Sequence, residues 1–285
     1  MKNIDAIINR IEVLKPISPV VNRLMEIVGN PGSSTRDLVE LVECDSALTA
    51  NLLRLCNSTY YGLTVHVNSV HHALTLLGMN RLVELILLRS TGENLLRAQK
   101  GYGLKPGELW KHSVASARLA RSFAEKNNRG FDVFLIYTAC LLKDIGKVVI
   151  EENVGRSLAK IRHLVRKKEY SFDQAEEAVL GIDHARLGGL IAERWHFSPK
   201  MAFLIRNHHL TDPSTRSDVE SGIIYLADTV SRMVLAGIGA DNLAYKVYEE
   251  IFLNLNVSAP DLVDLTSAFQ VHLHLADRLL HSMQS

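Results

Sequence analysis

Cysteine is scarce in this sequence, and the few cysteines form no metal or disulfide pattern. The 285 residues contain three, Cys44, Cys56 and Cys140, which are widely spaced among apolar neighbours, and no CxxC pair occurs. An odd number at such spacings argues against a disulfide framework and a cysteine zinc site. We therefore expect three small buried thiols in a protein of a reducing compartment.

Long apolar runs and low-complexity segments are missing as well. No uncharged apolar stretch approaches the roughly 18 residues that span a bilayer, and the amino terminus Met-Lys-Asn-Ile-Asp lacks the apolar core of a signal peptide. We expect a cytoplasmic protein without a membrane partner. Internal repeats and a glycine-rich phosphate loop are also absent, which argues against a repeat solenoid and a P-loop site.

An excess of charge of one sign is the third absence. Lysine and arginine number 32 against 31 acidic residues, a formal net charge of +1. This balance provides no overall attraction to polyanions, so nucleic acid is not an expected partner. The short helices predicted at 34–43 and 46–57 have the lengths of a helix-turn-helix. The second, however, offers only Arg54 as a cation, whereas a recognition helix carries several basic groups.

Helical periodicity with recognisable caps runs through the rest of the chain. Hydrophobic residues make up 47% of the sequence, enough for a substantial core. Helix starts are indicated by capping residues at Ser34, Asp45, Ser171 and Asp183. Strand signals are weak, and the single alternation, at residues 63–67, is too short to indicate a strand. The sequence predicts an all-α fold.

The stretch from Leu135 to Ile150 is an almost wholly apolar helix that ends in three ionisable residues, Lys143, Asp144 and Lys147. A helix that is apolar on every side is normally buried. Ionisable groups at its end are costly unless they are paired or bind a metal, so they indicate a functional site. Gly146 is predicted to end the helix by taking a left-handed conformation.

The remaining polar residues each have an ordinary structural explanation when taken alone. The pair His208-His209 can cap a helix end, and Asp228 can pair with an arginine inside its apolar helix. His184 can be a core imidazole whose nitrogens are hydrogen-bonded, and His112 is more often structural than functional at a position flanked by small residues.

Taken in order, these residues resemble a known pattern. Leu-Leu-Lys-Asp-Ile-Gly-Lys (141–147) resembles the Leu-Leu-His-Asp-Ile-Gly-Lys signature of the HD superfamily of metal-dependent phosphohydrolases, with lysine in place of the first metal-binding histidine. The succession tracks the order His, His-Asp, His, His, Asp of that superfamily: His112, Lys143-Asp144, Lys147, Glu177 with Gly181-Ile-Asp-His184, His208-His209 and Asp228.

The amino-terminal half resembles an HDOD domain, an HD-related output domain that is similar to a degenerate HD-GYP domain. The resemblance rests on residues 44–62, preceded by Pro-Ile-Ser-Pro (16–19) and followed by 72–78, and it covers about residues 5–240. It implies an HDOD helical bundle at 1–100, a degenerate HD-like bundle at 101–240 and a carboxy-terminal helical extension at 241–285. The segment 101–107, which contains three glycines and Pro106, is the expected hinge between the halves.

The resemblance also implies a ligand set for two metal ions. His112, position 143, Asp144 and Asp228 would hold the first ion, and Asp144, His184, His208 and His209 the second, while Lys147 would face a substrate phosphate. A lysine at 143 is an ammonium without a lone pair, so the first ion loses a ligand. We expect one divalent transition metal at most, Fe, Mn or Zn, with Lys143 replacing the other.

Proteins of the HDOD family are generally regarded as signalling relatives that have lost hydrolase activity, and Lys143 fits that view. We therefore expect a regulatory module of bacterial-type signalling that acts through a protein partner, and no residue is assigned a catalytic role. One alternative is a single-metal phosphohydrolase or phosphodiesterase that acts on a nucleotide. Another is an inactive sensor with a nucleotide ligand.

Two surfaces are candidates for the partner. One is the cleft between the two expected bundles, and the other is the basic stretch 156–168 around Arg162 and Arg166, which is otherwise a solvated helix face. No receiver domain accompanies the chain, so we expect its input to arrive by binding or through synthesis of the protein.

Overall fold

The computed structural model describes residues 19–30, 32–58, 63–127, 130–168, 170–235 and 247–284. These residues form α-helices and two short 3₁₀ turns, with an isolated bridge between Gln99 and Leu104 and no strand among them. The predicted all-α class is confirmed. Residues 16–18 and 59–62 of the predicted motif lie outside the described ranges, and the division into two bundles at residue 100 stays a prediction.

The described part of the chain contains thirteen α-helices. In chain order they are α1 (Pro19–Gly29), α2 (Thr35–Glu43), α3 (Ser46–Cys56), α4 (Val70–Leu95), α5 (Glu108–Asn127), α6 (Val133–Leu142), α7 (Ile145–Lys168), α8 (Phe172–Leu180), α9 (His184–Arg194), α10 (Pro199–Arg206), α11 (Val219–Val234), α12 (Glu249–Asn254) and α13 (Ala259–Gln284).

Local sequence signals account for where several helices begin. Ser34 and Asp37 form the predicted capping box of α2. The Asp45 side chain accepts a hydrogen bond from the Leu48 N–H at 2.9 Å and starts α3, and Asp183 starts α9 in the same way. Side-chain acceptors at these positions satisfy N–H groups that have no partner inside the helix.

The core is built around α5 and α6. Helix α6 is buried from Ile136 to Leu142, as its uniformly apolar sequence predicts. Helix α5 packs against α6, α11 and α13, and its buried Ala115, Ala117 and Ala120 allow close approach of these neighbours. The described helices include none with both the length and the apolar character needed to cross a membrane.

Gly146 does not end a helix as predicted. Helix α6 ends at Leu142, a turn at Lys143 and Asp144 follows, and Gly146 lies inside the first turn of α7. Its φ is not positive. A Cβ atom at Gly146 would lie 2.0 Å from the carbonyl oxygen of His184. Glycine is required here because α7 and α9 approach closely, and no left-handed backbone is involved.

The segment expected as a hinge is packed against α7. The Gly101 N–H donates to Glu151 at 2.7 Å, and a Cβ at Gly101 would lie 1.7 Å from a methyl group of Leu158. Tyr102, in the 3₁₀ turn Lys100–Tyr102, is fully buried. The connection between α4 and α5 is therefore held in place by long-range contacts.

Candidate metal centre

The predicted site residues converge at one place in the fold. His112 comes from α5, Asp144 from the α6–α7 turn, His184 from the first turn of α9, and Asp228 from the middle of α11. The pair 208–209 follows the end of α10. These residues, Lys143 of the turn and Lys147 of α7 are buried, except His112, whose side chain is 13% exposed.

Lys143 lies at the centre of one half of the cluster. Its side chain is 0% exposed. The Nζ atom contacts His112 Nε2 at 2.7 Å and Asp228 Oδ1 at 3.1 Å, and it also donates to Asp144 Oδ2. An ammonium has three N–H donors, and here each has its own acceptor. The lysine therefore reaches both carboxylates that the family resemblance places near it.

The hydrogen-bond pattern identifies which nitrogen of His112 carries its proton. The Ser231 hydroxyl donates to the Asp228 carbonyl at 2.8 Å, so it accepts from His112 Nδ1 at 3.1 Å. The Nε2 atom of His112 consequently presents a lone pair to the Lys143 ammonium. His112 Nε2 also lies 3.2 Å from Asp144 and 3.3 Å from Asp228. These three residues form a group whose ligand atoms lie within 4.8 Å of one another.

Electrostatics keep this half of the cluster charged. Burial alone would lower the pKa of the Lys143 amine, but the charges of Asp144 and Asp228 outweigh burial and raise the pKa. Burial would raise the pKa of each carboxyl, yet Lys143 with Lys147 holds that of Asp144 well below its usual range. Lys143 with Arg232 does the same for Asp228.

The charged groups of the site compensate one another. Lys147 Nζ lies 2.8 Å from Asp144 Oδ1, so both oxygens of this carboxylate are paired with lysines. Arg232 Nε lies 3.0 Å from Asp228 Oδ2. Lys147 also lies 5.6 Å from the centre of the Tyr102 ring. Its predicted contact with a substrate phosphate stays a prediction.

The other half of the cluster consists of three histidines, His184, His208 and His209, whose ligand atoms lie within 4.8 Å of one another. His184 Nε2 lies 2.9 Å from His209 Nε2 and 3.8 Å from Asp144 Oδ1. His184 Nδ1 contacts Glu176 Oε2 at 2.6 Å. Burial lowers the pKa of His184 and Glu176 raises it, with a net rise, so without a metal its imidazolium can donate to both Glu176 and His209.

His208 supplies the observation that tests whether these residues fit a metal. Its Nδ1 donates to the Ile205 carbonyl at 2.8 Å, which leaves Nε2 as a lone pair. That atom is buried without a hydrogen-bond partner among the described residues. Burial lowers the pKa of His208 to about 3 and that of His209 well below the usual range, so both rings are neutral. Neutral buried imidazoles with converging lone pairs suit Zn²⁺ or a similar ion.

Sequence reasoning missed the carboxylate that orients His184. It indicated Glu177, but Glu177 points outward and pairs with Arg186 at 2.5 Å. Glu176 is fully buried. It accepts from both the ring and the backbone N–H of His184. The sequence pattern does indicate that Glu176 is buried, because the apolar Phe172 and Leu180 lie four residues before and after it on the buried face of α8.

Tyr102 and Arg232 were missed as well. The Tyr102 hydroxyl donates to Glu176 Oε1 at 2.5 Å, and so connects the turn before α5 to the histidine cluster. Arg232 follows Asp228 by one helical turn on α11, a spacing that places both on one face. The sequence around Tyr102 does not predict its contact with Glu176, because the two residues are 74 positions apart.

The chain belongs to the HDOD family. The family model described as HDOD domain matches residues 14–211, which include the described parts of the amino-terminal helices and the histidine pair after α10. The sequence resemblance to this family is therefore confirmed. The match ends before Asp228 and Arg232, whose proximity to the site is established by the structure.

Solved structures share the fold. A protein from Marinobacter aquaeolei VT8 with the provisional name of a signal transduction protein is 19% identical with a TM-score of 0.76, covering 100% of this chain and 65% of that one. A protein from Shewanella amazonensis SB2B, provisionally named a phosphohydrolase, is 20% identical with a TM-score of 0.70, over 96% and 98% of the two chains. An HDOD domain protein of unknown function from Geobacter sulfurreducens is 23% identical with a TM-score of 0.65, over 93% and 89%.

A curated protein of Treponema pallidum (strain Nichols), itself uncharacterized, is 22% identical over 204 residues. The match covers 72% of this chain and 39% of the relative. The chain therefore spans about two fifths of the length of the curated relative that it matches.

Proposed function

We propose that this protein is a regulatory signalling module of the HDOD family that acts through a protein partner and has no hydrolase activity. One observation supports the proposal above all others. The ammonium of Lys143 lies among His112, Asp144 and Asp228, so a fixed cation of the chain stands where the HD pattern has the first metal ion.

The chemistry of two-metal hydrolysis supports the loss of activity that we propose. Hydrolysis by two metal ions requires a carboxylate that both ions share. In this chain the corresponding Asp144 has each oxygen paired with a lysine, Lys143 or Lys147. A first ion would have to displace a buried ammonium that has three acceptors, and would meet its positive charge.

The histidine cluster fits one ion. His184, His208 and His209 would hold a divalent transition metal, with Glu176 orienting His184 through Nδ1. When bound there, such an ion acts as a Lewis acid towards a phosphate oxygen. In the regulatory role, the three histidines holding such an ion would connect the first turn of α9 to the residues that follow α10, which would stabilise one arrangement of these elements.

A cleft of about 790 Å³ supports the interaction role. Its lining combines charged and apolar side chains from α1, the turn before α2, the start of α6 and the residues around the start of α10. Arg23 and Asp37 lie on one side, and Phe134 and Met201 on the other. Such a mixed surface suits a protein segment. The basic face around Arg162 and Arg166 is the second proposed surface.

Separation of signalling from metal binding tests this function. A strain that lacks the gene would be complemented with His184→Ala, and with charge reversals in the cleft such as Arg23→Glu. We expect the metal-ligand variant to signal and the cleft variant to fail, with both proteins folded by circular dichroism. If the His184→Ala protein is folded but does not signal, signalling depends on the metal centre itself, and the interaction role is wrong.

A single-metal phosphohydrolase is the second candidate, and the converging lone pairs of the histidine cluster favour it. The test measures phosphate release from nucleotides and cyclic dinucleotides with added Mn²⁺ or Fe²⁺. Metal-dependent release that disappears in Asp144→Ala would establish this candidate. If the parent chain releases no more phosphate than this variant, the phosphohydrolase is excluded and the regulatory function remains.

A further inference from the structure

A polar cavity of about 320 Å³ lies beside the histidine cluster. Its walls come from the start of α8, the residues before α9, the segment after α10, helix α11 and the residue before α12, and they include Asp173, Asp183, Tyr225 and Tyr248. His209 forms part of the lining, so an occupant would lie next to the histidine cluster. The cavity volume is at the lower end of the range for small-molecule pockets.

The cationic side chains of this cavity already have partners. Arg216 donates to the Leu210 carbonyl at 3.0 Å and to Glu250 at 2.9 Å, and it stacks 3.7 Å from the centre of the Tyr248 ring. Arg232 is held by Asp228 at 3.0 Å.

Two carboxylates of the lining have fewer partners than the cationic side chains. Asp173 is 6% exposed, and no described residue donates a hydrogen bond to it or forms an ion pair with it. Asp183 is also 6% exposed and uses one oxygen as the cap of α9, for the Arg186 N–H at 2.7 Å. The pKa of Tyr248 is raised, mainly by burial and also by the charge of Asp173, which places that carboxylate near the ring. A nearly buried carboxylate that lines a polar cavity and has no donor favours a cationic partner there.

We propose that this cavity binds a small organic cation whose ammonium contacts Asp173 and Asp183 and whose body lies against Tyr225 and Tyr248. The two rings have centres 5.8 Å apart and provide an aromatic wall for the body of the ligand, although Arg216 already covers one face of Tyr248. A metal ion fits less well, because none of the described groups with ligand atoms within 4.8 Å of one another includes these two carboxylates. The inference does not depend on the proposed function, since neither carboxylate is a predicted metal ligand.

The experiment compares tyramine with 4-hydroxyphenylacetate, two probes that share a ring and differ in the charge of their tails. Each is titrated calorimetrically into the full chain, with and without added Zn²⁺. We expect tyramine to bind in both conditions and 4-hydroxyphenylacetate in neither. Asp173→Asn, which keeps the shape and removes the charge, should weaken tyramine binding about tenfold or more.

The matched control is Glu177→Gln, because Glu177 lines the same cavity but already pairs with Arg186. It should bind tyramine like the parent chain, and Tyr248→Leu should bind it more weakly. Equal affinities for Asp173→Asn and the parent chain, or no tyramine binding at millimolar concentration, would overturn the proposal. If Asp173→Asn is unfolded, failure of Tyr248→Leu to weaken binding overturns it equally.

Discussion

At the scale of single residues, the identity of residue 143 determines what the site can hold. Lysine and histidine are both basic, but the ammonium donates three hydrogen bonds and the neutral imidazole offers a lone pair. Lys143 donates to three residues of types that commonly bind metals, His112, Asp144 and Asp228. In the proposed function, this side chain takes the place of an ion that the same three residues would otherwise hold.

Removal of this ammonium should destabilise the fold. Lys143→Ala leaves Asp144 and Asp228 buried with less compensation, and loss of one partner of a buried ion pair typically costs about 3–5 kcal/mol. We expect the free energy of unfolding in urea to fall by that order. Lys160→Ala, which removes an exposed lysine of α7, should change it by less than about 0.5 kcal/mol. Equal effects of the two substitutions would contradict a structural role for the Lys143 charge.

Replacement by histidine should restore a metal ligand. Lys143→His adds an imidazole beside His112, Asp144 and Asp228 and removes the competing charge. We expect the metal content, measured by mass spectrometry after loading with Mn²⁺ or Zn²⁺ and desalting, to rise by about one ion per chain. Lys143→Met is the control, because it fills similar space without a lone-pair nitrogen. An unchanged metal content in the histidine variant would show that the substitution at 143 is incidental.

At the scale of secondary structure elements, three separate segments meet through Glu176. Helix α8 carries this carboxylate, which binds His184 at the start of α9 and accepts from Tyr102 in the turn before α5. A metal in the histidine cluster would therefore act on α8 and on that turn as well as on its ligands. Partners that orient a metal-binding histidine typically change metal affinity by about 10–100-fold when they are replaced.

Glu176→Gln should lower metal affinity without unfolding the protein. The amide no longer accepts a charge-assisted hydrogen bond from His184 Nδ1, so the ring is a weaker and less well oriented ligand. We expect the Zn²⁺ dissociation constant, measured by competition with a chromophoric chelator, to rise about 10-fold or more. Glu177→Gln serves as control, since Glu177 pairs with Arg186 away from the histidines. Identical affinities in the two variants would exclude an orienting role for Glu176.

At the scale of the whole molecule, helix α13 returns to pack along α5 and ties the end of the chain to the core. Lys111 of α5 pairs with Asp277 of α13 at 3.1 Å. One turn and a half earlier, His272 contacts Arg118 Nε and Ser122 Oγ, each at 3.4 Å. Burial, with a contribution from Arg118, lowers the pKa of His272 to about 4.

This contact makes stability depend on pH. The folded pKa of His272 is about 4, below an unfolded value of about 6.5. The neutral ring is therefore favoured in the folded state. Its contribution is complete above pH 6.5 or so and is lost as the pH falls towards 4. Because the ring is only partly buried, we expect a loss on the order of 1–3 kcal/mol.

The measurement compares urea unfolding at pH 7 and pH 4.5 for the parent chain and for His272→Gln. Other groups also titrate in this window, so the difference between the two proteins isolates His272. The parent should lose more stability than the variant on acidification. Equal losses would mean that His272 is protonated as easily in the folded state as in the unfolded chain.

The sequence alone determined the features that depend on near neighbours in the chain. The caps at Ser34, Asp45 and Asp183 and the all-α class follow from local hydrogen bonding and hydrophobic spacing. Burial of α6 follows from the absence of a polar face. The motif at 141–147 also directed attention to Lys143, whose role in place of a metal stays a prediction.

Only the tertiary structure decided the features that depend on distant residues. In the structure Glu176, and not its neighbour Glu177, contacts His184, because the rotation of α8 against α9 determines which of the two carboxylates is buried. The structure showed that Gly146 permits the close approach of two helices and does not end one. Hydrogen bonds, ion pairs and cavities of this kind form where helices that are far apart in the sequence pack together. Helical periodicity predicts that a side chain is buried, but it does not predict which residue that side chain contacts.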